Sequence, residues 1–327
     1  MPQTTNQYSG ANHRGCAGET HRTEHLYPTR LSQHIINHVC SPTTTQLPQR
    51  SRYAIAASII GAVESDASIN AVLDPDTGAS LEYRHLMKTS QAAIWSTSFA
   101  NEISRLVNGV GTRMPTGTNT MAFIPKHKVP KHKIPTYARL VCDIRPHKAE
   151  THRSRLTVGG NLIDFPGDKS CATADLTTIK CLINSTISDI NARFCTSDIR
   201  NFYLGTPLEN YEYMKLRLDI IPDEIIAQYN LRDITVDGWV YCEIKKGMYD
   251  LPHAGKIAND RFWKHFAPFG YTPVKHTPGL WRHISRPTTF TLVVNDSGIK
   301  YTNLADVDHL LTALREQYDI STDTTSS

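Results

Sequence analysis

Apolar residues follow two regimes along this chain of 327 residues. Up to about residue 52 they show little periodicity, whereas from Leu81 onward they recur at helix or strand spacing. "SQAAIWSTSFANEISRLVNGVG" puts Trp95, Phe99, Ile103, Leu106 and Val107 on one helical face and is closed by Gly109. "TADLTTIKCLINSTIS" predicts a second helix, with Leu176, Ile179, Ile183 and Ile187 on its buried side. "AGKIANDRFWKHFAPFG" predicts a third, and "DVDHLLTALREQY" a fourth with Val307, Leu310, Leu311, Leu314 and Tyr318 aligned.

Strand patterns lie between the helices. "RLVCDIRPHKAETHRSRLTVGGNLIDF" is strand-like, with a hairpin turn expected at Gly159-Gly160-Asn161. "ARFCTSDIRNFYLGTPL" is a strand that reaches Asp198 and breaks into an aromatic turn. "FTLVVNDSGIKY" alternates on both sides of Asn-Asp-Ser-Gly and predicts a hairpin with that tetrad at its tip. A short strand, "DIST", follows the last helix. From Arg193 the order strand, helix, strand, strand, helix, strand is that of a ferredoxin-like α+β unit, an antiparallel sheet with helices on one face.

Composition adds limits. Residues 1 to about 52 are rich in Thr, Gln, His, Asn and Arg, and are expected to be disordered. Cys16, His21, His25 and Cys40 supply zinc-type ligands there, but no C-x-x-C half, which favours a solvated polar tail. The seven cysteines contain no C-x-x-C pair, so a disulfide framework is not expected and a reducing compartment fits. The N-terminus has no apolar signal core, and "AIAASIIGAV" is too short to span a bilayer. A soluble protein of the cytoplasm or nucleus is therefore expected. A net charge of +4 permits a polyanionic partner without requiring one. The tandem K-H-K-V/I-P repeat from Lys126 to Lys133 predicts an extended loop, either solvated or touching phosphates.

Three blocks, "FCTSDIRNFYLGTPLENYEYMKLRL", "EIKKGMYDLPHAGKIAND" and "TLVVNDSGIKY", resemble successive palm motifs of a reverse transcriptase of copia-type LTR retrotransposon polyproteins. The resemblance extends upstream through "GTRMPTGTNTMAFIP" and "VCDIRPHKAETHRSRLTVGG", and covers roughly Leu81 to Thr322. It implies an RNA-directed DNA polymerase domain with a right-hand layout. Residues 1–80 would be a polar, largely disordered region, 81–190 fingers-like and 191–327 palm, ending before a thumb and RNase H. The implied cofactor is magnesium, as two ions held by palm carboxylates. RNA template, DNA primer and deoxynucleoside triphosphates are the implied partners, with other polyprotein segments.

Residue by residue, the resemblance makes Asp198 and Asp296 metal ligands and catalytic residues, with Asn295 at the position of the first of two consecutive aspartates. Two divalent ions sharing substrate phosphates need hard oxygen ligands converging from separate strands, which suits this pair. Tyr203 matches the bulky residue under the incoming sugar, or is an ordinary core aromatic. Arg153 and Arg155 match fingers residues that approach the triphosphate, or lie on a solvated strand face. Pro252, Ala254 and Gly255 fit the loop supporting the templating base pair. Departures accompany these matches: Asn295 for Asp, Asp250 for Gly, His253 for Gln, and Ser297 for an aromatic. An amide offers one neutral carbonyl oxygen where a carboxylate offers two charged ones, so impaired catalysis is expected. A non-catalytic nucleic-acid-binding remnant is the alternative.

Overall fold

The structure, a computed structural model, describes residues 72–74, 78, 81–146 and 149–323. The N-terminal segment expected to be disordered, with Cys16, His21, His25 and Cys40, lies outside the described residues. Apart from short helical turns such as Tyr83–Leu86, the elements are helix α1 (Ala92–Leu106), strands β1 (Met121–Ile124), β2 (Thr136–Ile144) and β3 (His152–Val158), and helix α2 (Leu176–Ser188). Strands β4 (Arg193–Ile199), β5 (Pro207–Arg217) and β6 (Trp239–Lys246) follow, then helix α3 (Ala254–Phe266). The remainder is β7 (Tyr271–Pro273), β8 (Leu280–His283), β9 (Thr289–Val293), β10 (Asp296–Tyr301), α4 (Leu304–Arg315) and β11 (Ile320–Asp323). The architecture of the described residues is mixed α+β, with two sheets.

The first sheet has the order β1-β6-β5-β2-β3, antiparallel except for the β2–β5 pair. Helix α1 covers one of its faces. Trp95, Phe99, Ile103 and Leu106 are fully buried, as their spacing predicts, in one cluster with Met214, Leu216, Val240, Cys242 and Ile244. Polar residues of the same helix finish the sheet edge. Ser98 Oγ accepts from the Ser154 amide at 2.7 Å and donates to the His152 carbonyl at 3.0 Å, while Glu102 Oε1 accepts from the Leu156 amide at 3.3 Å. Backbone groups of an edge strand otherwise left without partners are thus satisfied by side chains.

The β2–β3 hairpin turns between Ile144 and His152, where the Arg145 amide donates to the Thr151 carbonyl at 2.7 Å. This corrects the turn expected at Gly159-Gly160-Asn161. The polar run after Ile144 breaks the strand alternation and includes Pro146, which has no amide to donate. Gly160–Leu162 instead forms a single 3-10 turn that carries the chain off the sheet. Strands β5 and β6, from the region after residue 191, return to pair with β1 and β2, so the two sheets interleave along the chain.

The second sheet is antiparallel throughout, with the order β11-β4-β10-β9-β8-β7. Its core strands and two helices run β4, α3, β9, β10, α4, β11, with β4 seated between β11 and β10. Ala258, Phe262 and Phe266 of α3 and Val307, Leu310, Leu311 and Leu314 of α4 bury one face, against Cys195, Ile199, Leu292 and Ile299. The expectation of helices on one face alone is corrected by α2. Ile299 and Tyr301 point to the α3/α4 cluster, so Lys300 between them points the other way. Its Nζ reaches the Ser185 carbonyl of α2 at 3.0 Å and Asp189 at 3.6 Å. The buried Leu182, Ile183 and Ile187 of α2 also stand apart from the α3/α4 cluster. Helix α2 therefore packs on the opposite face, the one that carries Asp198 and Asp296.

Candidate functional site

Asp198 near the end of β4 and Asp296 at the start of β10 are register partners. The Ile199 amide donates to the Asn295 carbonyl at 2.8 Å, which makes Asp198–Asp296 a non-hydrogen-bonded pair. Facing Cα atoms in such pairs approach to about 4.5 Å, with both side chains on one face. Asp198 is half-buried and Asp296 is 8% exposed. Two carboxylates this close repel by about 3 kcal/mol at an effective dielectric near 20, so the pair favours a neighbouring cation or hydrogen-bond donor.

The donor present is Asn295, whose Nδ2 donates to Asp198 Oδ1. It belongs to the turn, but the turn is not the one expected. Val293 pairs with Asp296, leaving Val294 and Asn295 as a two-residue loop, so Asp296 sits in the strand and not at the tip. Of the two loop residues only Val294 has positive φ, at +57°. That is the pattern of a type II′ turn, whose first central position suits glycine. A β-branched residue there is strained by about 1–3 kcal/mol. Asp296 is thus not explained by turn propensity, because its backbone is extended.

For a metal ion, the donor set fits one divalent cation better than two. Magnesium commonly takes one or two carboxylates and fills its remaining positions with water and substrate phosphates. Asp198 and Asp296 meet that need, while Asn295 turns a donor toward Asp198 and adds no charge. Among the described residues, no group of three or more His, Cys, Asp or Glu side chains is arranged to hold a metal.

Two other loops converge near Tyr203. A Cβ built on Gly255, in the first turn of α3, would lie 3.6 Å from the Tyr203 hydroxyl and 3.2 Å from Cys171 Cβ. Gly160 packs against the Asp250 carbonyl so closely that a Cβ would lie 2.0 Å from it, with Pro252 Cδ at 3.1 Å. Asp250 has φ +64°, a left-handed conformation in which glycine is at ease and Asp tolerated. His253, beside Pro252, is 2% exposed and stacks on Phe165 with ring centroids 4.2 Å apart. Its Nδ1 has no hydrogen-bond partner among the described residues. Burial pushes its pKa down, and Glu212 only partly opposes that.

Arg153 and Arg155 are not equivalent. Arg153 is buried, with Nη2 2.9 Å from Glu102 and Nη1 2.8 Å from Glu150. Burial works against its charge, but the two carboxylates outweigh it and hold the pKa above the usual value. Its guanidinium is thus committed to an internal cluster with Glu102, which also binds Arg105, and a reach to triphosphate would break buried ion pairs. Arg155 is half-buried and contacts Asp143 at 3.3 Å, a looser tie. Ser98, Glu102 and Phe165 were missed by the sequence reading. Glu102, one helical turn after Ser98 on α1, was the available signal, as a charge on an otherwise apolar face.

The K-H-K repeat is not extended. The Lys128 amide donates to the Pro125 carbonyl at 3.0 Å, within a 3-10 turn, and the Lys133 amide to the Pro130 carbonyl at 2.9 Å, so each repeat bends back on itself. Among the described residues no helix is long and apolar enough to cross a membrane. No known family model matches the chain, and no curated protein matches it either.

Proposed function

We propose that residues 81–323 are the fingers and palm of an RNA-directed DNA polymerase of the copia-type retrotransposon kind, with its chemical centre at Asp198 and Asp296. The observation that carries this is the facing carboxylate pair at the end of β4 and β10, on a sheet whose strand order is the split β-α-β-β-α-β order expected of a palm. Two motif-level features support it. Tyr203, given by resemblance the place under the incoming sugar, and Gly255, given that of the loop under the templating base pair, are neighbours despite their separation in sequence. Asp250, where the resemblance implies Gly, has a backbone that glycine favours.

Asp198 and Asp296 would hold magnesium, which when bound polarises a phosphoryl oxygen and lowers the pKa of an attacking hydroxyl. Tyr203 would pack under the nucleotide sugar, Pro252 and Gly255 would support the templating base pair, and Arg155 rather than Arg153 would meet the triphosphate. The partners are then an RNA template, a DNA primer and deoxynucleoside triphosphates, with other segments of a retrotransposon polyprotein. The Asn295 amide bound to Asp198 favours a second reading, a non-catalytic nucleic-acid-binding remnant. Primer extension on an RNA template, first with magnesium and then with manganese, separates the two. Extension lost in Asp198→Asn supports the polymerase; no extension with either metal, alongside retained binding of an RNA–DNA duplex, supports the remnant.

A further inference from the structure

The first sheet has a second face, turned away from α1, which the polymerase centre does not use. Strand alternation sends Met214, Leu216, Val240, Cys242 and Ile244 into the α1 core and the residues between them outward. On that outer face Ile124, Tyr213 and Tyr241 form a small cluster, against which Val129 and Trp239 pack. Val129 is the centre of the K-H-K repeat, so the repeat is a strap lying across this face. Lys133 pins its far end, with Nζ 2.9 Å from both oxygens of Glu212 on β5. At the near end Lys126 Nζ lies 5.9 Å from the Tyr241 ring centroid.

The anchoring leaves cations outward. Lys126, Lys128 and Lys131 are exposed, and among the described residues none has a carboxylate partner. Beside the strap Lys215 Nζ sits 4.9 Å over the Trp239 ring and the Arg217 guanidinium 5.5 Å over it. The ring holds both cations at the sheet surface, an arrangement that needs little side-chain ordering when an anion arrives. Two acidic groups beside these cations are engaged locally, Glu243 by the Tyr213 hydroxyl at 3.3 Å and Asp219 by Arg217 at 3.1 Å. The first turn presents Lys126 and Lys128 and the second presents Lys131, a row of exposed cations that suits a repetitive anion.

We propose that this face, with the strap of Lys126, Lys128 and Lys131 and the Lys215/Trp239 pair, grips the phosphate backbone of nucleic acid without reading sequence. The charge complementarity is to a chain of phosphates, and no pocket for a base is required. The grip stands apart from the polymerase centre, which lies on the other sheet, and holds whether or not Asp198 and Asp296 carry metal.

The test is binding of a fluorescent RNA–DNA duplex by the full chain across 50 to 200 mM salt, compared with Lys126→Ala/Lys128→Ala/Lys131→Ala. Three lost phosphate contacts should flatten the log–log salt slope by about 2.7, so the parent loses about fortyfold more affinity than the variant over that range. Trp239→Ala should flatten it further by loosening Lys215 and Arg217. Circular dichroism of each variant guards against unfolding, and Lys264→Ala, at an exposed lysine of α3, should leave the slope unchanged, while primer extension by the parent reports separately on the polymerase reading. An unchanged slope in the folded triple variant would overturn the proposal, as would absence of duplex binding at 50 mM salt. So would binding of the strap to phosphatidylserine vesicles in preference to duplex.

Discussion

Replacing Asn295 by Asp probes the candidate centre most directly. In the parent, the Asn295 amide donates to Asp198 Oδ1, and such a bond to a charged group contributes about 1.5–3 kcal/mol. Asn295→Asp removes the donor and sets a third carboxylate beside two. Each new pair repels by about 4 kcal/mol at 4 Å and an effective dielectric of 20, less where solvent screens the half-buried Asp198. The metal-free variant should therefore unfold about 2–4 kcal/mol more easily than the parent. Magnesium reverses the sign, because three carboxylates now face one cation. At a hundredfold excess over its dissociation constant the ion returns about 2.7 kcal/mol, or about 5–10 °C in melting temperature for a domain of this size. The assay is thermal unfolding with and without magnesium, read beside primer extension on an RNA template. Asp198→Asn in the same background should abolish the magnesium response. Equal magnesium shifts in parent and Asn295→Asp would refute the reasoning, since the added carboxylate would then not face the ion.

Other consequences can be measured separately. Val294→Gly should stabilise the protein by about 1 kcal/mol in urea unfolding, because relief of strain at φ +57° exceeds the entropy glycine adds to the unfolded chain; destabilisation would mean the side chain makes up for its strained backbone. Asp250→Val should cost about 1–2 kcal/mol and Asp250→Gly nothing, and equal costs would remove the argument from the left-handed backbone. Glu102→Ala should cost about 3–5 kcal/mol by stranding Arg153 and Arg105, and a loss below 1 kcal/mol would show that water replaces the carboxylate. Burial lowers the pKa of both His253 and His309. The unfolded chain then binds more protons as pH falls below the ordinary histidine range, so stability present at pH 7.5 should decline toward pH 5. Denaturant titrations should show a shallower decline in His253→Gln; an unchanged pH profile would acquit that ring.

Helices were legible in the sequence because burial enforces a period. Trp95, Phe99, Ile103 and Leu106 had one reading, and so did Val307, Leu310, Leu311 and Leu314; all eight are buried as that reading requires. The strand ending near Asp198 and the hairpin around Asn295 were legible for the same reason. What the sequence could not determine was relative position. Asn-Asp-Ser-Gly has the composition of a turn tip, yet pairing of β10 with both β4 and β9 draws Asp296 into the sheet and moves the turn to Val294–Asn295. Arg153 and Arg155 look alike on a strand, and only the approach of α1 with Glu102 makes one a buried structural ion and leaves the other half-exposed. Helix α2 has an apolar face wherever it packs; Lys300 reaching Ser185 fixes which side of the sheet receives it. Local pattern records what each residue must bury, whereas register, edge pairing and charge partners depend on segments far apart in the chain. Those interactions exist only once the two sheets have formed, so tertiary structure decided the geometry of the carboxylate pair and the lie of the lysine strap.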